Sequence, residues 1–396
     1  MIKLTSNTFD RAIFYLASLY ICFIYFSVAI SNIFLGLTIA AFVIGIATKK
    51  LHFNLDKRQA ILYFVIIIPF VLTLISLVNS YNTSRALGYI WMRLPIVILP
   101  LILLNVKFLN KKDITHFAYL YIASSLLATF ITFYNLIYHY FTEGKLLKPN
   151  FNEDVLTPIQ HPYFGIFIVI AITVVFFFKL FKKYPFVKYG LFSLFSLAVL
   201  FSTSRMALLL LIIFWGYVLV IYAKKIKYRI LIISALSFIG FLAIANTVYK
   251  EKITNTFSYW DSPRVYLWDN AYKVLKYSQN KFSGVGIGDY YRLKRNPQDY
   301  ISSQRGTYGF NPHNQYLEFV ITNGVFGLLF LFTILYLLFI SYKNKNSFAF
   351  IIVVIISSFS FTECIFNRQF GVQLYAFFIP MAILMITFKN QNKINV

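Results

Sequence analysis

Residues 205–223 read RMALLLLIIFWGYVLVIYA, and residues 224–229 read KKIKYR. One arginine opens the first stretch, and no further charge follows until the lysines. Wound as an α-helix, about 18 such residues rise about 27 Å, close to the hydrocarbon thickness of a bilayer. A basic cluster directly after an apolar run marks the cytoplasmic end of a membrane span.

The same pattern recurs along all 396 residues, of which 59% are hydrophobic and only 13% charged. A soluble protein of this length has too little interior to hide so much apolar side chain. Hydropathy predicts an all-α, polytopic membrane protein, a single domain over 1–396. About twelve helices are expected, at roughly 12–30, 32–48, 59–78, 88–104, 114–139, 161–181, 186–202, 205–223, 228–247, 314–341, 347–362 and 370–388. Lys3 and Arg11 precede the first run as in a signal peptide, but no small-residue cleavage site follows, so it reads as a retained helix. Cys22 and Cys364 give neither a disulfide framework nor a metal-ligand spacing.

Charge sets the orientation. The net charge of +24 does not point to nucleic acid, because the bases cluster in short loops between apolar runs. Alternate loops hold Lys49, Lys50, Lys57 and Arg58; Lys107, Lys111 and Lys112; Lys179, Lys182, Lys183 and Lys188; Lys224, Lys225, Lys227 and Arg229; Lys343 and Lys345. With twelve helices these loops share one side with both termini, and the positive-inside rule makes that side cytoplasmic. The long segment 248–313 then faces outward. Within it Ser262 and Pro263 form a helix start, and Trp268, Ala271, Tyr272 and Leu275 make an apolar stripe. Gly284, Gly286 and Gly288 mark a turn, and Asn311-Pro312 opens the next membrane helix.

His313 sits at the outer end of that helix, on its first turn. The helix dipole there disfavours the imidazolium, and neutral imidazole is the form that accepts a proton from a hydroxyl. An interfacial capping histidine is the plain alternative. Arg205, Arg85 and Arg93 are all expected on the outer face, where bases are scarce. Planar arginine forks suit a diphosphate there, although an arginine at a helix end also snorkels to headgroups. Arg264 precedes Trp268 by one turn, and by spacing alone is an ordinary exposed base. Glu363 and Arg368 flank the last outer connection, where a surface ion pair is the default. No P-loop sequence and no paired acids for a metal occur, so neither ATP, a metal nor any other cofactor is expected.

At these positions the sequence resembles the O-antigen ligase and polymerase family of bacterial membrane proteins. The matching elements are Ser204-Arg205 before an apolar helix; Arg264-Val265-Tyr266-Leu267-Trp268 and Gly284-Val285-Gly286-Ile287-Gly288 in one large loop; and His313-Asn314-Gln315-Tyr316-Leu317 with Gly324 and Gly327. His161-Pro162-Tyr163 and Thr362-Glu363 through Arg368 also look like family features. Met206 departs from the glycine that many members carry after the arginine. The resemblance implies a core over about 190–340 and a periplasmic loop at 248–313, in the bacterial inner membrane. It implies transfer of a glycan from undecaprenyl diphosphate to a sugar hydroxyl, such as one on a lipid A-core acceptor, without ATP or metal. In that reaction His313 is the expected base, and Arg205 and Arg264, with Arg85 and Arg93, are the expected diphosphate ligands. Asn314, His161, Tyr163, Glu363 and Arg368 are possible supporting residues, and inversion by single displacement is favoured. A polymerase using the same donor is the nearest alternative. A transporter or flippase is the alternative from another class, and a structural scaffold a third.

Overall fold

A computed structural model describes residues 6–107, 109–143, 156–222, 263–277, 281–290 and 311–392. All regular structure among them is helical. The helices are α1 (Ser6–Cys22), α2 (Val28–Ala47), α3 (Lys57–Ile66), α4 (Ile68–Val78), α5 (Thr83–Arg93), α6 (Pro95–Asn105), α7 (Lys111–Glu143), α8 (His161–Phe177), α9 (Pro185–Phe201), α10 (Arg205–Tyr222), α11 (Pro263–Tyr277), α12 (Gln315–Asn323), α13 (Leu329–Lys343), α14 (Ser347–Thr362) and α15 (Gln369–Asn392). Short 3-10 turns follow α1 and α12 and precede α15. The span expected at 228–247 lies outside the described residues, as does Ser262.

Six helical stretches among the described residues are long and apolar enough to cross a membrane, with α5–α6 (Thr83–Asn105) and α12–α13 (Gln315–Lys343) each counted as one, or seven if the bent pair α3–α4 counts as one span. Another four, α8, α9, α10 over Arg205–Val218, and α14, are apolar but shorter. The chain is therefore a multi-pass helical membrane protein by length and composition, and the number twelve goes beyond that. A helix of 17 residues such as α8 rises only about 26 Å. It needs its flanking turns to cover a core of about 30 Å.

Chemistry at the helix ends accounts for several differences from the expected boundaries. The segment 59–78, expected as one helix, breaks at Ile67 with a bend of 50° between α3 and α4. Pro69 follows the break; it lacks the N–H that a continuous helix needs, and its ring crowds the preceding turn. Helix α5 starts at Thr83 rather than 88, because the Asn82 side chain accepts the Arg85 N–H and caps it. Helix α12 starts at Gln315, capped by Asn314 through Leu317 N–H at 3.0 Å. His313 therefore precedes the helix instead of lying on its first turn, and Asn314, not Asn311, is the cap.

The chain divides into two compact units, 1–121 with 263–396, and 122–262. In the first, α15 packs on α6 and α1 on α2, with α12 against α4, α11 and α14. In the second, α8 packs between α9 and α10. Fully buried Phe164 and Phe167 lie along α8, where an added Cβ at Gly165 would come within 2.6 Å of the Ala207 Cβ.

Candidate functional site

In the first unit the site grows from the backbone around His313. Its φ of +47° lies in the left-handed region, uncommon for a side-chain-bearing residue and recurrent at functional sites. Two hydrogen bonds hold that conformation. The Asn311 Oδ1 accepts His313 N–H at 3.0 Å, and the indole N–H of Trp268 donates to the Pro312 carbonyl at 2.9 Å. The second bond fastens α11 beside the histidine. Helix α11 buries Leu267, Ala271 and Val274, while Trp268 and Tyr272 stay exposed. Its inward stripe is thus rotated by about one residue from the expected one, and its face rests on Ile321 and Leu317 of α12 together with Val285 and Tyr290.

The imidazole meets a carboxylate. His313 Nδ1 lies 3.0 Å from Glu363 Oε2, with side chains 32% and 16% exposed. Glu363 caps the C-terminus of α14, so two elements 50 residues apart converge here. When Nδ1 donates to the carboxylate, the free lone pair is on Nε2. A partly exposed imidazole held this way can accept a proton at Nε2, and a carboxylate at Nδ1 favours that tautomer. The pair differs from the Glu363–Arg368 surface pair that spacing suggested. Arg368 is exposed on the same connection.

The expected arginines separate. Arg93 ends α5, ten residues or about 15 Å beyond its first residue, because the helix starts earlier than the sequence suggested. It is fully buried. Its guanidinium bonds Thr73 Oγ1 at 2.7 Å, the Phe366 carbonyl at 3.0 Å and Asn367 Oδ1 at 2.9 Å, and pairs with Glu318 at 3.3 Å. Arg85, three residues past the Asn82 cap, is exposed. The backbone of Arg264 lies in the first turn of α11, one turn before Trp268; its side chain lies outside the described residues.

In the second unit, exposed Arg205 is the first residue of α10. The turn before it, Ser202–Ser204, is buried, and Thr203 has φ +55°. Gly165, one turn beyond His161 in α8, is the point where this turn packs closely: a Cβ there would lie 3.1 Å from Ser204 Cβ and 3.2 Å from Ser202 Oγ. His161 is half-buried and Tyr163 buried at that same end of α8.

Sequence reasoning missed Glu318. It lies in the apolar segment after the histidine, 2% exposed, and a carboxylate within a membrane helix is itself a signal of a partner or a function.

No curated protein matches the chain in sequence. Residues 190–332 match the family model described as O-antigen ligase. The matched stretch begins within α9 and runs through Arg205, Arg264, His313, Asn314 and Glu318 into α13, while Arg93, His161 and Glu363 lie outside it. Over residues 190–332, then, the chain carries an O-antigen ligase family domain.

Proposed function

We propose that this protein is a glycan transferase of the O-antigen ligase type, acting at the periplasmic face of the bacterial inner membrane. The donor is a glycan on undecaprenyl diphosphate, and the acceptor is a sugar hydroxyl, as on a lipid A-core. The observation that carries the reading is the His313–Glu363 contact of 3.0 Å, on an element inside the family match.

The acceptor oxygen attacks the anomeric carbon while its proton passes to His313 Nε2. The bond from that carbon to the diphosphate oxygen breaks, and its electron pair leaves with the diphosphate. No activation by ATP is needed, because the diphosphate is already a good leaving group. Arg205 and Arg264 offset the charge that grows on it. Attack and departure occur on opposite faces of the ring, so the anomeric configuration inverts. Glu363 holds the imidazole and stabilises the imidazolium as it forms.

The test uses purified protein with undecaprenyl-diphosphate glycan and acceptor, without ATP or added metal. His313→Ala should slow transfer by about 10²–10⁴-fold while donor binding persists. Acidification should slow the unmutated enzyme, because imidazolium has no lone pair to accept the proton. A normal rate for His313→Ala would mean that the base lies elsewhere.

A further inference from the structure

We propose that Arg93 and Glu318 are positioning residues that set the geometry of the His313–Glu363 pair from within the membrane. The proposal rests on the reading of that pair given above.

The two halves of the pair belong to different segments. His313 leads into α12 and Glu363 into the 3-10 turn Ile365–Asn367. The Arg93 guanidinium binds both at once, through Glu318 of α12 and through the Phe366 carbonyl and Asn367 Oδ1 of the turn. It also holds Thr73 of α4, whose hydroxyl donates on to the Pro69 carbonyl at 2.8 Å. Further bonds close the network. Asn367 Nδ2 donates to Glu318 Oε2, and Gln315 Oε1 accepts Phe366 N–H at 2.9 Å. These cross-links lie two to five residues from His313 and three to four from Glu363. The aromatic rings of Tyr89, Phe319 and Phe366 surround the guanidinium, with centroids 5.3, 5.7 and 5.9 Å from Cζ.

Energetics favour a positional duty over a stabilising one. An ion pair with 0% and 2% side-chain exposure has a desolvation cost that its attraction barely offsets, and apolar packing of equal volume often serves stability as well or better. What apolar packing lacks is direction. Hydrogen bonds from one planar fork to two segments fix their relative register, and a misplacement of about 1 Å at a reacting pair costs roughly 100-fold in rate.

The experiment measures kcat and donor KM in nanodiscs, per folded molecule, with undecaprenyl-diphosphate glycan and acceptor. Arg93→Gln and Glu318→Gln should each lower kcat by roughly 10- to 100-fold, with donor KM unchanged within about twofold. Arg93→Lys should recover part of the loss. Adding Arg93→Gln to Glu363→Gln should cost little more than Glu363→Gln alone, because both act through one pair. If Arg93→Gln does not fold, Glu318→Gln and its combination with Glu363→Gln carry the same test. A raised donor KM in Arg93→Gln beside a normal Glu318→Gln would make Arg93 a diphosphate ligand and overturn the proposal. Normal kcat per folded molecule, or losses that multiply with that of Glu363→Gln, would also overturn it. A normal rate for Glu363→Gln would instead remove the His313–Glu363 reading itself, and the proposal with it.

Discussion

At the scale of single residues, the groups that matter most in the proposed reaction are open to solvent. His313 and Glu363 are both partly exposed. Arg205 is exposed at the start of a helix, where backbone N–H groups also point toward an anion. The proposed contact with a diphosphate there needs the fork as well as the charge. Arg205→Ala should lower transfer roughly 100-fold or more, and Arg205→Lys should restore only part of it, since lysine keeps charge without paired N–H donors. Unchanged transfer by Arg205→Ala at normal expression would leave the residue as an interfacial anchor. Trp268 offers a finer probe. Trp268→Phe keeps an aromatic ring on α11 but removes the donor to the Pro312 carbonyl, 2.9 Å away. With the left-handed backbone at His313 less firmly held, kcat should fall about tenfold with little change in thermal stability. Equal kcat for the two proteins would show that Asn311 alone suffices to hold the histidine.

At the scale of elements, the glycine-rich stretch joins three parts of the first unit. Val285 and Gly286 donate backbone N–H groups to the Ile321 and Thr322 carbonyls at the end of α12, at 2.9 and 3.1 Å. Gly288 N–H reaches Ser80 Oγ at 3.0 Å, and the Asp289 carboxylate accepts from Tyr81 and Asn82 N–H at the start of α5. Gly286 has φ +78°, and a Cβ there would lie 2.6 Å from Ser80 Oγ and 2.8 Å from the Asn79 carbonyl. Gly286→Ala therefore adds left-handed strain to a clash with backbone, about 2 kcal/mol or more. Thermal unfolding in detergent should show a lower Tm; an unchanged Tm would mean that the loop relaxes freely away from the 79–82 turn. That this stretch is a turn was legible in its glycine spacing. What it grips was not, because the partners lie more than 200 residues earlier in the chain or 30 later. The same holds for Glu363, whose partner spacing suggested Arg368 and whose contact is His313. The burial of Arg93 was hidden for the same reason: its partners Thr73, Glu318, Phe366 and Asn367 lie 20 to 274 residues away in the chain. Glu318 was missed although it is a lone carboxylate in a segment that is otherwise uncharged, a signal that hydropathy averaged over a span hides.

At the scale of the whole molecule, hydropathy located the helices well because a span must be long and apolar to satisfy its backbone in lipid. Helix breaks at Ile67 and Gly324 were less visible, since both segments on either side remain apolar. Orientation is a separate inference, resting on which loops carry lysine and arginine. It predicts that Lys281, near the glycine-rich stretch, faces outward, while Lys50, Lys182 and Lys345 face the cytoplasm. All four are exposed, and the native cysteines Cys22 and Cys364 are buried. Burial also pushes the Cys364 thiol well above its ordinary pKa, so little thiolate is present to react. Single cysteines at the four lysine positions therefore give a clean readout over a silent background. In cells with a permeabilised outer membrane, a membrane-impermeant thiol reagent should modify Lys281→Cys and spare Lys50→Cys, Lys182→Cys and Lys345→Cys until the inner membrane is opened. The fully reversed pattern would turn the molecule over and place His313 on the wrong side for a periplasmic glycan. Labelling of Lys182→Cys alone among the three would be more specific. It would mean that the short helices α8 and α9 do not cross, and that His161 and Arg205 need a different route to the donor diphosphate.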